Sequence, residues 1–220
     1  GVCPRLLRHL CQRVLVNVAD IDTTTTLLGQ KLSLPVFIAP VGNFVQLADP
    51  QGAKALRTKY MKLVEPATHD LFSTTGTLGI LGPGVFNGDS PVKNWGGSGK
   101  ADFPEGYESF YPDRVMAYQT KKYGCWRCTM ACGGHMEIKS GPRKVRTHKV
   151  EYETGGAFGT MALNHDFESL IWCNELCNRF GFDTISAGCT IAFAIECYEN
   201  GILTKSDTGG LELTWGNHEA

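Results

Sequence analysis

The chain has 220 residues, of which 42% are hydrophobic and 20% charged, a composition typical of a folded globular protein. Its longest apolar stretches, residues 34–45 and 187–195, are too short for a membrane-spanning helix of roughly 20 residues, so we expect no membrane association. Residues 1–62 carry eight Lys/Arg against three Asp/Glu, whereas residues 63–220 carry thirteen against nineteen, which indicates two parts of different origin. The basic residues are scattered and not interleaved with aromatic ones, so nucleic-acid binding is not expected.

The first part of the chain predicts a strand-to-helix unit. Residues 13–18 and 34–39 are short, rich in β-branched side chains and bounded by polar or turn residues, as strands are. Residues 52–63 predict a helix, because apolar side chains recur on one side of it: Ala53, Leu56, Tyr60 and Leu63. Glycine and proline are dense over residues 72–112, where neither helical nor strand periodicity survives, so we predict a long loop there.

Helices are predicted to dominate after residue 110. A short helix is expected over residues 113–123. Two longer helices follow, the first capped by Asp166 and ending near Gly181, the second over about residues 186–200. The predicted fold class is therefore mixed α/β, mainly α-helical after residue 110, with an N-terminal strand-helix segment and a Gly/Pro-rich loop region.

The motif with the most specific chemistry is C-x2-C-x3-C, formed by Cys125, Cys128 and Cys132. This spacing lets one loop offer three thiolates to an iron–sulfur cluster, which normally has four protein ligands. Four further cysteines are candidates for the fourth ligand: Cys173, Cys177, Cys189 and Cys197. Each lies in a predicted helix, where a small buried side chain is the commoner role. A disulfide set is the alternative, but it disagrees with an odd count of nine cysteines and no visible secretory signal, so we expect a reducing compartment, the cytoplasm.

Several separated motifs resemble, in the same order, the middle of the aldehyde:ferredoxin oxidoreductase family. They are GDSPVKNW at residues 88–95, KKYGCWRCTMAC at 121–132, EYET at 151–154, NELCNRFGFDTISAG at 174–188, IAFAIECYENG at 191–201 and LELTWGN at 211–217. The resemblance covers about residues 70–220 and extends to the branch that contains tungsten-dependent aromatic acyl-CoA reductases. Residues 63–220 are therefore predicted to be an incomplete middle domain of this family.

The resemblance implies a tungsten (or molybdenum) ion held by two pterins, beside one [4Fe-4S] cluster. Three ligands of this cluster would be Cys125, Cys128 and Cys132. The family's fourth ligand belongs to a second pterin motif, D-x-x-G-L-C, which we do not find before Ala220. We therefore expect that the chain alone does not oxidise aldehydes.

The family's first pterin motif, D-x-x-G-L-D, is similar to residues 178–183, with Asn178 in place of the first acid. Gly181 and Asp183 keep the family's residues, and the Asp183 carboxylate would accept hydrogen bonds from a pterin amino group. The same two residues also suit an ordinary C-cap and N-cap between two helices. Glu153 matches a family glutamate beside the metal that is thought to handle protons, although most glutamates are simply solvated acids.

The first 60 residues resemble a different family. RVLVNVADIDTTTTLLG at residues 13–29 and LPVFIAPVG at 34–42 are similar to the start of the barrel in FMN-dependent α-hydroxy-acid oxidases and dehydrogenases. One strand-helix unit cannot close a barrel, so residues 1–62, a hydroxy-acid-oxidase-like segment, are expected to bind no flavin by themselves. A natural fusion, an assembly artefact and a deliberate chimera would each produce this join.

Three functions are compatible with these features. The favoured one is a tungsten-pterin and [4Fe-4S] dependent oxidoreductase that oxidises aldehydes to acids and passes electrons to ferredoxin. Its partners would be ferredoxin, an aldehyde or aromatic acyl-CoA substrate, and a further subunit that completes the site. The second is an Fe–S electron-transfer or scaffold module without its own catalysis, and the third is a fragment of an FMN-dependent 2-hydroxy-acid oxidoreductase.

Overall fold

The chain divides into two units, Gly1–Phe44 and Val45–Ala220. The computed structural model describes residues 25–27, 30–32, 50–125 and 128–219. In the first unit β1 (Thr25–Leu27) pairs antiparallel with β2 (Gln30–Leu32). The strands predicted at residues 13–18 and 34–39 lie outside the described residues, and the predicted domain boundary between residues 62 and 63 stays a prediction.

The second unit is mixed α/β, as predicted. Its α-helices are α1 (Pro50–Leu63), α2 (Pro66–Thr75), α3 (Leu81–Asn87), α4 (Gly99–Asp102), α5 (Pro112–Val115), α6 (Tyr152–Phe158), α7 (Phe167–Phe180) and α8 (Thr184–Glu199). Its strands are β3 (Pro91–Val92), β4 (Gly97–Ser98), β5 (Gln119–Tyr123), β6 (Gly133–Ile138) and β7 (Val145–His148). Short 3-10 turns lie at Thr77–Ile80, Lys93–Trp95, Tyr107–Phe110, Met116–Tyr118 and Thr160–Ala162.

The Gly/Pro-rich region over residues 72–112 is not the long loop that we predicted. It contains the end of α2, all of α3 and several 3-10 turns. Glycine ends these helices rather than preventing them, since Gly76 and Gly88 are the C-caps of α2 and α3 and both have positive φ. The high frequency of glycine in this region therefore reflects several short helices that each need a terminus.

The helix predicted over residues 113–123 is also wrong for most of its length. The helix there is only α5, which has Pro112 in its first turn, and residues 119–123 instead form β5 at the edge of an antiparallel sheet. In this sheet β5 pairs with β6, with Tyr123 opposite Gly133. Strand β7 pairs with the other edge of β6, with His135 opposite His148. The part after residue 110 thus begins with one short helix and this sheet, and its longer helices follow the sheet.

Helices α7 and α8 lie where the sequence pattern placed them. The Asp166 carboxylate accepts a hydrogen bond from the Ser169 amide at 2.6 Å and caps α7. Gly181 ends α7 in the left-handed conformation, with φ of 73°. The Asp183 carboxylate then caps α8 by accepting from the Ser186 amide at 2.7 Å.

The core of the second unit lies between the sheet, the N-terminal short helices, α6 and α7. Its fully buried large side chains include Phe110, Leu78, Leu81, Met136, Ile138, Leu170 and Ile171. Helices α6 and α8 pack closely, because a Cβ at Gly188 would lie only 2.7 Å from the Ala157 side chain. This close contact fixes the relative position of the two helix N-termini.

Helix α1 packs little of its surface against the unit. Only Ala53 of this helix is buried, and its other predicted apolar positions are exposed: Leu56 by 61%, Tyr60 by 53% and Leu63 by 74%. The helix carries four basic residues and no acidic one, so it is an amphipathic, strongly positive element. None of the helices in the described ranges has the length and hydropathy needed to cross a bilayer.

Candidate cofactor site

The cysteine motif lies in the connection between β5 and β6. We call residues 124–132 the Cys loop; Trp126 and Arg127 lie outside the described residues. The Cys128 amide donates to the Cys125 carbonyl at 2.9 Å, which closes a tight turn. Cys125 and Cys128 are exposed, whereas Cys132 is half-buried at the start of β6. The loop therefore presents its first two thiols to solvent.

Two glycines allow the ends of the Cys loop to approach each other. A Cβ at Gly124 would lie 3.0 Å from Ala131, and a Cβ at Gly133 would lie 2.6 Å from the Tyr123 ring. Ala131 has φ of +49°, an uncommon conformation for a residue with a side chain. The base of the loop is thus built tightly, and larger residues at either glycine would push the strands apart.

A buried lysine holds the Cys132 end of the loop. Lys149 is only 3% exposed, and its ammonium group donates to the Thr75 carbonyl at 2.9 Å and to the Cys132 carbonyl. Gly76 leaves room for this group, since a Cβ there would overlap Lys149 Nζ. Burial lowers the pKa of the Lys149 ammonium, and the nearby Glu151 charge opposes that shift. The C-terminus of α2 is thereby tied to the Cys loop.

The electrostatic environment of Cys132 has contributions of both signs. Burial raises the pKa of the Cys132 thiol, the negative charge of Glu151 raises it further, and the positive charge of Lys149 lowers it. Metal binding requires the thiolate and would therefore release a proton at this position. The positive charge of Lys149 favours the thiolate.

An aromatic cluster, which we did not predict, borders the loop. The Tyr123 hydroxyl and His148 Nδ1 lie 3.0 Å apart. The rings of Tyr123, His135 and His148 are mutually in contact, with centroid distances between 5.1 and 5.6 Å. Burial is the largest cause that raises the pKa of the Tyr123 hydroxyl, followed by the negative charge of Glu151. The turn residues Ser140, Gly141 and Pro142 were the signal that could have predicted this cross-strand histidine pair.

The start of α6 lies next to this region. The Thr77 hydroxyl donates to a Glu151 carboxylate oxygen at 2.5 Å and accepts from the Tyr152 amide at 3.0 Å. Glu153, the predicted proton-handling residue, is in the first turn of α6 and is exposed. Lys149, which donates to the Cys132 carbonyl, lies two residues before Glu151, so the N-terminus of α6 is close to the Cys loop.

A hydroxyl pair joins the N-termini of α6 and α8. Thr154 Oγ1 and Thr184 Oγ1 are 2.8 Å apart and share a hydrogen bond. Each threonine directly follows a predicted site residue, Glu153 in α6 and Asp183 before α8. These two predicted residues, which are 30 positions apart in the chain, are therefore on neighbouring helix termini.

The other residues of the predicted pterin motif serve as helix-end residues. Asn178 lies in the last turn of α7 and is exposed, and Gly181 is the left-handed C-cap of that helix. Asp183 is exposed, and its hydrogen bonds with Ser186 lower the pKa of its carboxyl group. The three residues thus have the capping geometry that local sequence also predicted, and their cofactor role stays a prediction.

The three cysteines belong to one loop but do not form a closed metal centre. Within the described ranges, no group of three or more Cys, His, Asp or Glu side chains is arranged to hold a metal ion. The predicted convergence of Cys125, Cys128 and Cys132 therefore remains a prediction. Their chemistry nevertheless fits a cluster, since three thiols in one short loop are the donor set that iron–sulfur centres use.

Residues 54–220 match the family model of aldehyde ferredoxin oxidoreductase, domains 2 and 3. The chain belongs to this family. The tungsten-containing aldehyde ferredoxin oxidoreductase of Pyrococcus furiosus is 33% identical over 134 residues, which is 60% of this chain and 21% of that protein. The WOR-like subunit of aliphatic sulfonate oxidoreductase from the same organism is 26% identical over 214 residues, 94% of this chain and 32% of that protein. The chain thus spans only about a fifth to a third of the length of these relatives.

The N-terminal part of the chain has a second similarity. Residues 8–77 match the family model of FMN-dependent dehydrogenase. The L-lactate dehydrogenase of Azorhizobium caulinodans is 51% identical over 58 residues, which is 24% of this chain and 15% of that protein. The two family matches overlap over residues 54–77, which include most of α1 and all of α2. Both resemblances drawn from the sequence are therefore confirmed.

The helix cysteines are expected to react much more slowly than the loop cysteines. Burial raises the pKa of the Cys173 thiol to about 11, so only about 0.1% of it is thiolate at pH 8, whereas Cys125 and Cys128 are exposed. We expect iodoacetamide at pH 8 to alkylate the two loop thiols of the iron-free chain at least about tenfold faster than Cys173, as followed by mass spectrometry. Unfolding in urea should equalise the rates, and equal rates in the folded chain would contradict the prediction.

Proposed function

We propose that this chain is part of a tungsten- (or molybdenum-) pterin and [4Fe-4S] dependent oxidoreductase that converts aldehydes to acids. Membership of the aldehyde ferredoxin oxidoreductase family supports this reaction class. The bound groups would supply the two-electron and one-electron chemistry, and the protein would position them. A ferredoxin would be the electron acceptor, and an aldehyde or an aromatic acyl-CoA the substrate.

The observation that carries the proposal is the hydrogen bond that joins Thr154 to Thr184, because each threonine directly follows a predicted site residue. The Cys loop is linked to the start of α6 through Lys149, which donates to the Cys132 carbonyl and lies two residues before Glu151, the N-cap of α6. Glu153 follows within the same turn, and the Thr154–Thr184 hydrogen bond of 2.8 Å leads to the N-terminus of α8, where Asp183 lies. Residues assigned from separate motifs are thus linked through successive contacts.

Each residue has a specific role in this proposal. Cys125, Cys128 and Cys132 would ligate the cluster. Asp183 would accept hydrogen bonds from a pterin amino group, with Gly181 allowing the chain to turn and Asn178 offering a further polar contact. Glu153 would hold or release a proton at its carboxylate during substrate oxidation.

A further segment or subunit would complete the site. Glu153, Asn178, Gly181 and Asp183 are all exposed, whereas a site that positions substrate must exclude water. The WOR-like subunit relative is named as one subunit of an oxidoreductase, which supports a further subunit or segment as the missing cover. The seven described cysteines are free thiols, which supports a reducing compartment such as the cytoplasm.

Asp183→Ser tests the pterin assignment without removing the helix cap. Serine caps helices about as well as aspartate does but lacks the charged carboxylate. In chain produced anaerobically with tungstate, we expect this variant to lose at least about tenfold in fluorescent pterin and tungsten per chain, while iron stays unchanged. Asp207→Ser is the matched control, because Asp207 also caps a turn, accepting from the Thr204 amide at 2.8 Å.

The same measurements separate the rival functions. Iron without pterin in the unmodified chain would favour an electron-transfer or scaffold module. Stoichiometric FMN would favour the hydroxy-acid oxidoreductase reading, which the match of residues 8–77 to FMN-dependent dehydrogenases supports. Equal pterin contents in Asp183→Ser and Asp207→Ser would show that Asp183 does not bind the pterin.

A further inference from the structure

A positively charged groove adjoins the Cys loop. It has a volume of about 660 Å³ and is lined by Lys54, Arg57, Thr58, Met61, Lys62, Cys128 and Thr129. One wall is therefore helix α1 and the other is the Cys loop. We call this set of residues the basic groove.

The charge of the basic groove is unbalanced. Among the residues that the structure describes, its lining contains three cations and no acidic side chain, and these three cations are exposed. Lys59 of α1 adds a fourth cation, and the helix itself has no acidic residue. Lys121 and Lys122 of β5, also exposed, precede the loop. Such a concentration of one sign attracts and orients a partner of the opposite sign.

The position of the groove identifies the class of partner. Cys128 is exposed and is both a groove residue and a predicted cluster ligand. A protein held in the groove would therefore approach the cluster end of the site and not the α8 end. The lining residues that the structure describes include no aromatic side chain on which a base could stack, which disfavours a nucleic acid.

We propose that the basic groove is the docking surface for an acidic one-electron carrier protein of the ferredoxin class. The inference rests on the proposed function, because it takes Cys128 as a cluster ligand, but the binding itself needs only the charges of α1. It assigns a role to a helix that otherwise packs little of its surface. Most of this helix lies in the segment that both family models match.

The test reverses the groove charges in the full chain. The variant Lys54→Glu/Arg57→Glu/Lys62→Glu replaces three positive side chains with three negative ones at the same positions. The sign of the groove charge is reversed, and no additional repulsion between like charges arises within α1. The matched control is Lys139→Glu/Lys144→Glu/Arg146→Glu on the β6–β7 hairpin, where three exposed cations are reversed. Both variants change the net charge equally.

Calorimetric titration with a purified acidic [4Fe-4S] ferredoxin measures the binding. We expect the groove variant to bind at least about tenfold more weakly than the unmodified chain at 20 mM NaCl, and the hairpin control less than about twofold more weakly. Raising the NaCl concentration to 200 mM should weaken ferredoxin binding by the unmodified chain and remove most of the difference in affinity between it and the groove variant. Equal weakening in both variants would overturn the proposal, as would a DNA duplex that competes as strongly as the ferredoxin.

Iron analysis of the same samples separates this inference from the proposed function. Groove-dependent ferredoxin binding by a chain that takes up no iron would support the docking surface and contradict the cluster assignment. Iron uptake without any ferredoxin binding would support the cluster assignment and contradict the docking surface. Circular dichroism of the groove variant checks that α1 remains helical.

Discussion

Replacing Cys128 with alanine is expected to reduce the iron bound after anaerobic reconstitution with iron and sulfide by at least about tenfold. The thiol is one of three in the Cys loop, and a [4Fe-4S] cluster normally has four protein ligands, so a loop with only two thiols should hold it much less well. Cys128 is exposed, so the fold loses almost nothing. Iron content and the cluster absorption near 400 nm are the measurements.

Cys189→Ala is the matched control for this experiment. Cys189 is half-buried in α8, where its thiol contacts the Met161 sulfur at 3.8 Å. We expect it to keep its iron, and the same substitution at Cys173, Cys177 and Cys197 extends the control. Loss of iron in just one of these four would identify that cysteine as the fourth ligand. Full iron in both Cys128→Ala and Cys125→Ala would show that the motif does not hold a cluster.

Local sequence signals predicted the helices better than they predicted the sheet. Helix α7 is limited by Asp166 and Gly181, two caps that can be recognised within a few residues of the termini. Strand β5, by contrast, reads Gln-Thr-Lys-Lys-Tyr and has four exposed positions out of five, so no apolar alternation marks it. Its conformation depends on pairing with β6, which comes after the Cys loop in the chain.

The site residues also fall into two groups, those that a local motif reveals and those whose contacts lie far apart in the chain. The cysteines and Asp183 were recognisable from motifs, whereas Lys149 was not, because its two acceptors lie 17 and 74 positions away in the chain. The Thr154–Thr184 contact also joins distant segments, and it depends on the close approach of α6 to α8 at Gly188. Contacts of this kind follow from packing, which a single sequence does not reveal.

Gly76→Ala is expected to cost about 3 kcal/mol or more in the free energy of unfolding and to release the Cys132 end of the loop. Gly76 has φ of 68° and ψ of −159°, a conformation essentially restricted to glycine. A methyl group there would overlap Lys149 Nζ and lie 2.7 Å from the Cys132 carbonyl oxygen. The ammonium can move only by leaving its two carbonyl acceptors, and the carbonyl belongs to the backbone.

Gly201→Ala is the control for a glycine with positive φ and no close neighbours. Gly201 also has positive φ, 70°, but nothing lies within 4 Å of a Cβ there, so only the left-handed backbone cost of about 1 kcal/mol is expected. Urea unfolding of both variants gives the difference, and Cys132 should become alkylated faster only in Gly76→Ala. Adding Lys149→Ala to Gly76→Ala removes one of the two overlaps. The loss of unfolding free energy in the double variant should therefore be about 1 kcal/mol smaller than the sum of the losses in the two single variants. Strict additivity, or equal losses in Gly76→Ala and Gly201→Ala, would mean that Lys149 does not hold the Cys loop through this contact.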